Sequence, residues 1–211
     1  MTSLELKDTL YGIGIGLAVH FLKENKVAGP RFYRYSELNK APEFAARLVR
    51  RVMHGPLQGT RTGLYCYDCI FVNVPVTALP AQQPGMRNWS YPGYKVDRTA
   101  VGVVAHEVAH HMERELQSRG RLTKTHGVAW RQLLQLCPKR VTGYEPVPSE
   151  AWAESMRLFI LNPQLLELGC PERYLFIRHE VGLKPTERRN WRRVLLNHPD
   201  YIRAAERWIA K

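Results

Sequence analysis

The sequence has few cysteines and no apolar run long enough to cross a bilayer, and each absence excludes a class of protein. Four cysteines in 211 residues do not match a small secreted domain held together by disulfides. The apolar stretch LYGIGIGLAVHFL near the N-terminus is shorter than the roughly 20 residues that span a membrane. It also lacks a basic flank before it and a small-residue cleavage site after it, so we do not expect a secretory signal. We therefore expect a cytoplasmic protein without membrane contact, and we interpret this stretch as a buried helix whose glycines permit close packing.

Acidic residues are also scarce, because 19 Asp and Glu stand against 31 Lys and Arg, giving a net charge of +12. Such a surplus favours contact with nucleic acid or another anionic partner, although charge on exposed helix faces also serves solubility. The C-terminal segment interleaves arginines with aromatic residues, a composition that suits phosphate contact and base stacking. The aromatics fall at helical spacing with leucine and isoleucine, which favours an amphipathic helical hairpin instead. The residues concerned are Arg188, Arg189, Arg192, Arg193, Arg203, Arg207, Trp191, Tyr201 and Trp208.

The length suits a single domain, and the pattern of elements predicts the α+β class. We divide it into N-terminal helices over 1–54, a catalytic core over 55–160 and basic C-terminal helices over 161–211. Two β-type runs, TGLYC and CIFVNVPV, stand in the core, and Pro75 suggests that the second is an edge strand. Asp97 is the expected N-cap of the helix that follows. Helices are predicted over 3–26, 37–53, 97–118, 126–136, 149–161, 171–181, 185–197 and 198–210.

The segment His106-Glu107-Val108-Ala109-His110 follows the apolar run TAVGVV and fits the pattern H-E-x-x-H. On a helix the two histidines lie on one face and can bind one Zn²⁺. Glu107 can then take a proton from metal-bound water. His111 lies about 100° further round the helix than His110, so we expect it to support the site or line the cleft. The alternative is two ordinary helix histidines and a surface glutamate.

A catalytic zinc site needs a third protein ligand, and the first candidate is His126 in THGVAW. The order HEVAH then HGVAW resembles the SprT-like (Spartan-type) zinc metalloproteases, whose pattern is HExxH followed by HGxxF or HGxxW. The resemblance covers about 99–136 and lacks that family's C-terminal four-cysteine ribbon. It implies a zincin-like metalloprotease fold, with His106, His110 and His126 as zinc ligands and Glu107 as the base. It also implies a substrate protein that is associated with nucleic acid.

The second candidate is Glu150 in SEAWAESMRLF. This segment resembles the E-x-x-A-E helix of lethal-factor-like and Pro-Pro-endopeptidase-type gluzincins. The resemblance implies that Glu150 binds zinc and that Glu154 hydrogen-bonds a ligand histidine. It also implies an oxyanion-stabilising tyrosine, for which Tyr144 lies one residue nearer to the glutamate than the pattern expects. The alternative for the two glutamates is a pair of solvated helix carboxylates, against which the apolar neighbours argue.

We favour His126 over Glu150 as the third ligand, because its spacing and its following glycine and tryptophan agree with one known pattern. Whichever of these two residues does not bind the metal would support the site or line the cleft. Cys66 and Cys69 have C-x-x-C spacing, but Cys137 and Cys170 lack the spacing of a second ligand pair. We therefore favour buried free thiols over a second metal site.

These patterns together predict a zinc metallopeptidase that cleaves peptide bonds with activated water. Glu107 would be the general base, and Tyr144 or His111 would stabilise the oxyanion. The rival hypothesis is a module that binds nucleic acid or protein, or inhibits a protein, on the same scaffold with a non-catalytic metal.

Overall fold

The computed structural model describes residues 2–53, 62–78 and 97–186, and all structural statements below refer to these. The helices predicted over 185–197 and 198–210, with their arginines and aromatics, therefore lie outside the described residues, apart from positions 185 and 186. The described chain is mostly helical with one small sheet, which confirms the α+β class. No described helix has the length and apolarity that a membrane crossing requires.

All three strands of the sheet precede α3 in the chain, and the described residues after α3 are mostly helical. Short 3₁₀ turns cover Tyr35–Lys40 and Val74–Val76, and a π turn covers Phe176–Glu180. The main elements are α1 Ser3–Glu24, β1 Arg31–Arg34, α2 Glu43–Met53, β2 Gly63–Cys66, β3 Cys69–Val72, α3 Ala100–Ser118, α4 Lys124–Leu136, α5 Pro148–Leu161, α6 Pro163–Gly169 and α7 Pro171–Leu175.

The sheet has the order β1-β3-β2, with β1 parallel and β2 antiparallel to the central strand β3. Tyr67 and Asp68 join β2 to β3 with φ of 48° and 59°, the left-handed pair that a tight hairpin of this twist requires. The edge-strand interpretation of CIFVNVPV is wrong, because all four residues of β3 are buried in the centre. Its uninterrupted apolar run is typical of a strand covered on both faces. Pro75 lies in the 3₁₀ turn after β3, and β1 and β2 are the two edge strands of the described sheet.

Helix α3 lies at the centre of the core and makes its largest helix contacts with α1 and α5. A Cβ at Gly14 of α1 would lie 3.1 Å from Val101 Cα and 3.1 Å from Val104 Cβ of α3, so the glycine is what lets the two helices approach. Gly12 and Gly16 face open space. The prediction that the α1 glycines permit close packing is therefore confirmed at Gly14 only.

Several predicted helix boundaries are wrong, each for a local reason. The N-cap of α3 is Thr99, whose hydroxyl accepts from Gly102 N, while Asp97 instead accepts from Thr99 N at 2.9 Å. The helix predicted over 37–53 is broken because the residue before Pro42 must be extended, and Ala41 has ψ of 158°. The helix predicted from 126 starts at Lys124. The short helix α6 was not predicted.

Candidate metal centre

Helices α3 and α5 bring three side chains to one point. His106 and His110 lie one turn apart on α3, and Glu150 lies in the first turn of α5. Glu150 Oε2 is 3.1 Å from His106 Nε2 and 3.6 Å from His110 Nε2. One ligand atom from each residue lies within 4.8 Å of the other two, so this cluster could hold a metal ion. The described residues contain no second group of this kind.

Two tryptophans hold the first turn of α5 against the rest of the core. Trp152 Nε1 donates to Ala109 O of α3 at 3.2 Å, and Trp130 Nε1 of α4 donates to Pro148 O at 3.1 Å. The two indoles meet edge to face with centroids 5.7 Å apart. Glu150 lies between Pro148 and Trp152, the two α5 residues that these hydrogen bonds hold in place. The packing of the core therefore sets the distance of Glu150 from the α3 histidines.

The ring of His106 is oriented from behind by Glu154. His106 Nδ1 lies 2.8 Å from Glu154 Oε1, and a carboxylate can only accept there, so Nδ1 carries the hydrogen and Nε2 faces Glu150. Burial raises the pKa of Glu154, but Arg157 and His106 outweigh it and lower the value to about 2. The structure thus brings Glu154 to the histidine that it was predicted to orient.

The centre attracts positive charge. Burial lowers the pKa of His106, yet its hydrogen bonds to Glu150 and Glu154 outweigh burial and raise the value to about 10. The nearby imidazoles of His106 and His110 hold the pKa of Glu150 well below its usual range. The negative charge of Glu150 can be balanced either by a second proton on His106 or by a metal cation. Metal binding would therefore displace that proton.

Glu107 lines the same cleft as the cluster, beneath strand β2. The cleft has a volume of about 400 Å³ and is lined by Gly63, Leu64, Tyr65, His106, Glu107, His110, Tyr144 and Glu150. Burial raises the pKa of Glu107, although His106 and His110 oppose the shift. The Tyr65 backbone N–H donates to this carboxylate. The cleft therefore holds a buried carboxyl group with a raised pKa beside the three clustered side chains.

Tyr144 stands at the mouth of the cleft in the loop that precedes α5. Its ring centroid is 5.9 Å from that of His106, and 46% of the residue is exposed. The next residue, Glu145, accepts from Val141 N at 2.7 Å and from Thr142 N at 3.0 Å. Glu145 also accepts from the buried Arg173 at 2.9 Å, so the loop that carries Tyr144 is tied to α7.

The structure places His126, our preferred third ligand, outside the cluster and brings Glu150 there instead. His126 Nδ1 accepts from Thr123 N at 3.1 Å and lies 2.7 Å from Thr123 Oγ1, while Nε2 lies 3.2 Å from Glu180 O. The ring completes a capping box at the start of α4, as a glutamate does at that position in other helices. Both ring nitrogens are thus used away from the cleft.

His111 does not line the cleft, one of the two roles expected for it, and the other, support of the site from behind, stays a prediction. It is 1% exposed, and Nε2 lies 2.7 Å from Ala28 O in the loop after α1. Its ring packs edge to face on Tyr65, with centroids 5.6 Å apart. Its position round the helix from His110 points it to the sheet.

The four cysteines are free thiols, with Cys66, Cys69 and Cys170 buried and Cys137 half-buried. Cys66 and Cys69 are opposite each other in the hairpin. Burial, with a smaller contribution from Cys69, raises the pKa of Cys66 to about 11. A thiol in that state is a poor nucleophile.

The chain matches no protein family model, no curated protein and no solved structure. The chemistry of the described side chains is therefore the basis for a function.

Proposed function

We propose that the chain is a zincin-like, zinc-dependent endopeptidase that holds Zn²⁺ with His106, His110 and Glu150. The observation that supports this most directly is the convergence of two imidazole nitrogens and one carboxylate oxygen in a cleft that also contains Glu107. Two histidines and a glutamate, with one position left for water, are a donor set of catalytic zinc in peptidases. Mg²⁺ and Ca²⁺ instead favour sites made of oxygen ligands.

The bound zinc would lower the pKa of water and polarise the substrate carbonyl. Glu107 then takes the proton from the attacking water and gives it to the leaving amine. Its raised pKa favours the protonated carboxyl group, which is the form that returns the proton to the amine. The phenol of Tyr144 donates a hydrogen bond to the oxyanion.

A peptide is the substrate class that the walls of the cleft favour. Strand β2 contributes Gly63, Leu64 and Tyr65 to the cleft, and its outer edge pairs with no other described strand. An extended peptide can add to such an edge through main-chain hydrogen bonds. This edge strand and the proton-exchanging Glu107 therefore support peptide-bond hydrolysis over hydrolysis of a small ester.

The ligand assignment is tested by the metal content of matched variants. Wild type, His110→Ala, Glu150→Ala and His126→Ala are loaded with zinc, dialysed and analysed by mass spectrometry of the metal. We expect about one zinc in wild type and in His126→Ala, and a loss of zinc in the other two, because removing a ligand leaves an incomplete set. Retention in Glu150→Ala with loss in His126→Ala would overturn the assignment.

The reaction is tested with a proteome-derived peptide library digested by the zinc-loaded protein and read by mass spectrometry. Wild type is expected to cut peptides, and Glu107→Gln to retain zinc but lose cleavage by at least about 100-fold, the size of a general base effect. Equal cleavage by both proteins would remove Glu107 from the mechanism. Zinc binding by wild type without any cleavage would favour the rival hypothesis of a binding module.

The positive charge supports a narrower proposal, that the substrate is a protein associated with nucleic acid. The net charge of +12 includes three exposed arginines on α2, Arg47, Arg50 and Arg51. Contacts with phosphate weaken steeply as salt rises, so we expect DNA binding at low salt and faster cleavage of DNA-bound than of free protein. Equal cleavage of both, with no DNA binding, would exclude this substrate class.

A further inference from the structure

A fully buried ion pair stands directly behind the candidate metal centre. The side chains of Glu154 and Arg157, one turn apart on α5, both have 0% exposure. Arg157 Nη2 donates to Glu154 Oε2 at 2.9 Å, and Nε donates to Oε1 at 3.2 Å. The same Oε1 accepts from His106 Nδ1. A continuous chain of contacts therefore runs from the guanidinium through the carboxylate to a proposed zinc ligand.

Stability alone does not account for this pair. Removing two charges from water costs several kcal/mol per ion, and apolar residues of similar volume often serve the fold equally well. Most neighbours on α5 are apolar and buried, namely Ala153, Met156, Leu158 and Phe159, and the buried carboxyl of Asp97 also interacts electrostatically with Arg157. An ion pair kept among them needs another reason to be there.

The geometry supplies that reason. The fork of the guanidinium contacts both oxygens of Glu154, which fixes the plane of the carboxylate more firmly than a single point charge would. In that plane Oε1 is the oxygen that meets His106 Nδ1. The orientation of the imidazole, and with it the direction of Nε2, thus depends on Arg157.

The second buried ion pair of the described residues provides a comparison. Arg173 and Glu145 are each 2% exposed and lie 2.9 Å apart. The other hydrogen bonds of Arg173 go to Ser155 Oγ and Lys139 O, away from the three clustered side chains. This pair links α7 to the loop before α5, whereas the Glu154–Arg157 pair contacts His106 of the cluster.

We propose that Arg157 is a positioning residue of the metal centre, which acts through Glu154 to hold His106 with Nε2 towards the metal. This inference rests on the zinc centre proposed above. Loss of the groups that orient a ligand histidine typically weakens metal binding by about 10–100-fold. Because Arg157 and Glu154 act as one chain, their losses should not add.

The test is the zinc dissociation constant, measured by competition with a chelating dye, for folded wild type, Arg157→Met, Glu154→Gln and the double variant. We expect each single variant to bind zinc about 10–100-fold more weakly than wild type, and the double variant to match the weaker single variant within about threefold. Arg173→Met is the matched control: it also removes a buried arginine, and it should lower the melting temperature while keeping the zinc affinity of wild type.

The outcomes separate this inference from the proposed function. Tight zinc binding by wild type and equal binding by Arg157→Met would overturn the role of Arg157 and leave the zinc centre standing. No zinc binding by wild type would overturn both.

If Arg157→Met does not fold, the double variant, which leaves neither partner's charge unpaired, is compared with Glu154→Gln. Equal affinity supports the inference, and a further loss of about tenfold or more would overturn it, since Arg157 would then act independently of Glu154.

Discussion

Glu107 is confined by strand β2 as well as by its own helix. A Cβ at Gly63 would lie 2.6 Å from Glu107 Oε1 and 2.6 Å from Val103 Cγ1, closer than such atoms can approach. The absence of a side chain at Gly63 thus leaves the space that the carboxylate occupies. The position of the proposed base depends on a residue far from it in sequence.

Gly63→Ala should therefore impair the reaction without removing the metal. Displacing a catalytic group by about 1 Å can reduce the rate about 100-fold, so we expect a loss of that order in kcat with the zinc content of wild type. Steady-state kinetics on a peptide from the cleaved library, with metal analysis of the same sample, measures both. A variant with full kcat would show that Glu107 does not need this space.

Tyr144 and Tyr65 offer a matched comparison at the cleft. The hydroxyl of Tyr65 donates to Asp68 Oδ1 at 3.1 Å, whereas Tyr144 stands beside His106. Loss of one oxyanion donor costs about 10²–10³ in kcat, so Tyr144→Phe should lose about that much with KM and zinc content unchanged. Tyr65→Phe should stay close to wild type, and an equal loss in both variants would contradict the role of Tyr144.

For single residues, the sequence predicts the features that depend on near neighbours in the chain. His106 and His110 share a helix face because of their spacing alone. The choice of Glu150 over His126 depends on how α5 packs on α3, which no spacing reveals. One signal in the sequence pointed to the observed placement of His126: Thr123 three residues before it is the arrangement of a capping box. The roles of Gly63, Arg157 and Arg173 depend on tertiary contacts and left no comparable signal.

At the scale of elements, the contact between α1 and α3 depends on one glycine. Gly14→Ala places a Cβ 3.1 Å from the Val101 backbone, and overpacking of this kind costs about 1–3 kcal/mol. Gly16→Ala on the exposed side of the same helix should instead stabilise the protein by about 0.5–1 kcal/mol, because alanine favours the helix. Urea denaturation measures both free energies of unfolding, and shifts of the same sign would contradict the proposed packing.

The sequence predicted which segments are helices or strands better than it predicted where they begin and end or which elements they pack against. Helices α1, α3 and α4 begin at capping threonines, and α5 begins with Pro148 in its first turn, which are local signals that a sequence carries. The break before α2 required the effect of Pro42 on its neighbour to be weighed above helix propensity. The central place of β3 depends on β1 pairing in parallel, a long-range contact that its apolar run only suggests.

At the scale of the whole molecule, the centre joins two helices that are distant in the chain. A ligand that binds the folded state alone stabilises it, by about 2.7 kcal/mol at a free concentration 100 times its Kd. For a chain of this size that corresponds to a rise in melting temperature of roughly 5–10 °C. We expect zinc to produce this rise in wild type but not in Glu150→Ala, and Mg²⁺ to produce none in either, as differential scanning fluorimetry would show. Equal rises in wild type and Glu150→Ala would indicate zinc bound elsewhere.

The buried pair of Glu154 and Arg157 also constrains how this sequence can change over generations. Replacing either partner alone removes an opposite charge in hydrogen-bond contact with the other's buried side chain, which is destabilising, so the intermediate on any path of single substitutions is poorly tolerated. Both side chains are wholly inaccessible to water, and solvent cannot soften the penalty. Descendants of this chain should therefore keep the two residues together or lose them together, and the pair should covary in any alignment of diverged relatives.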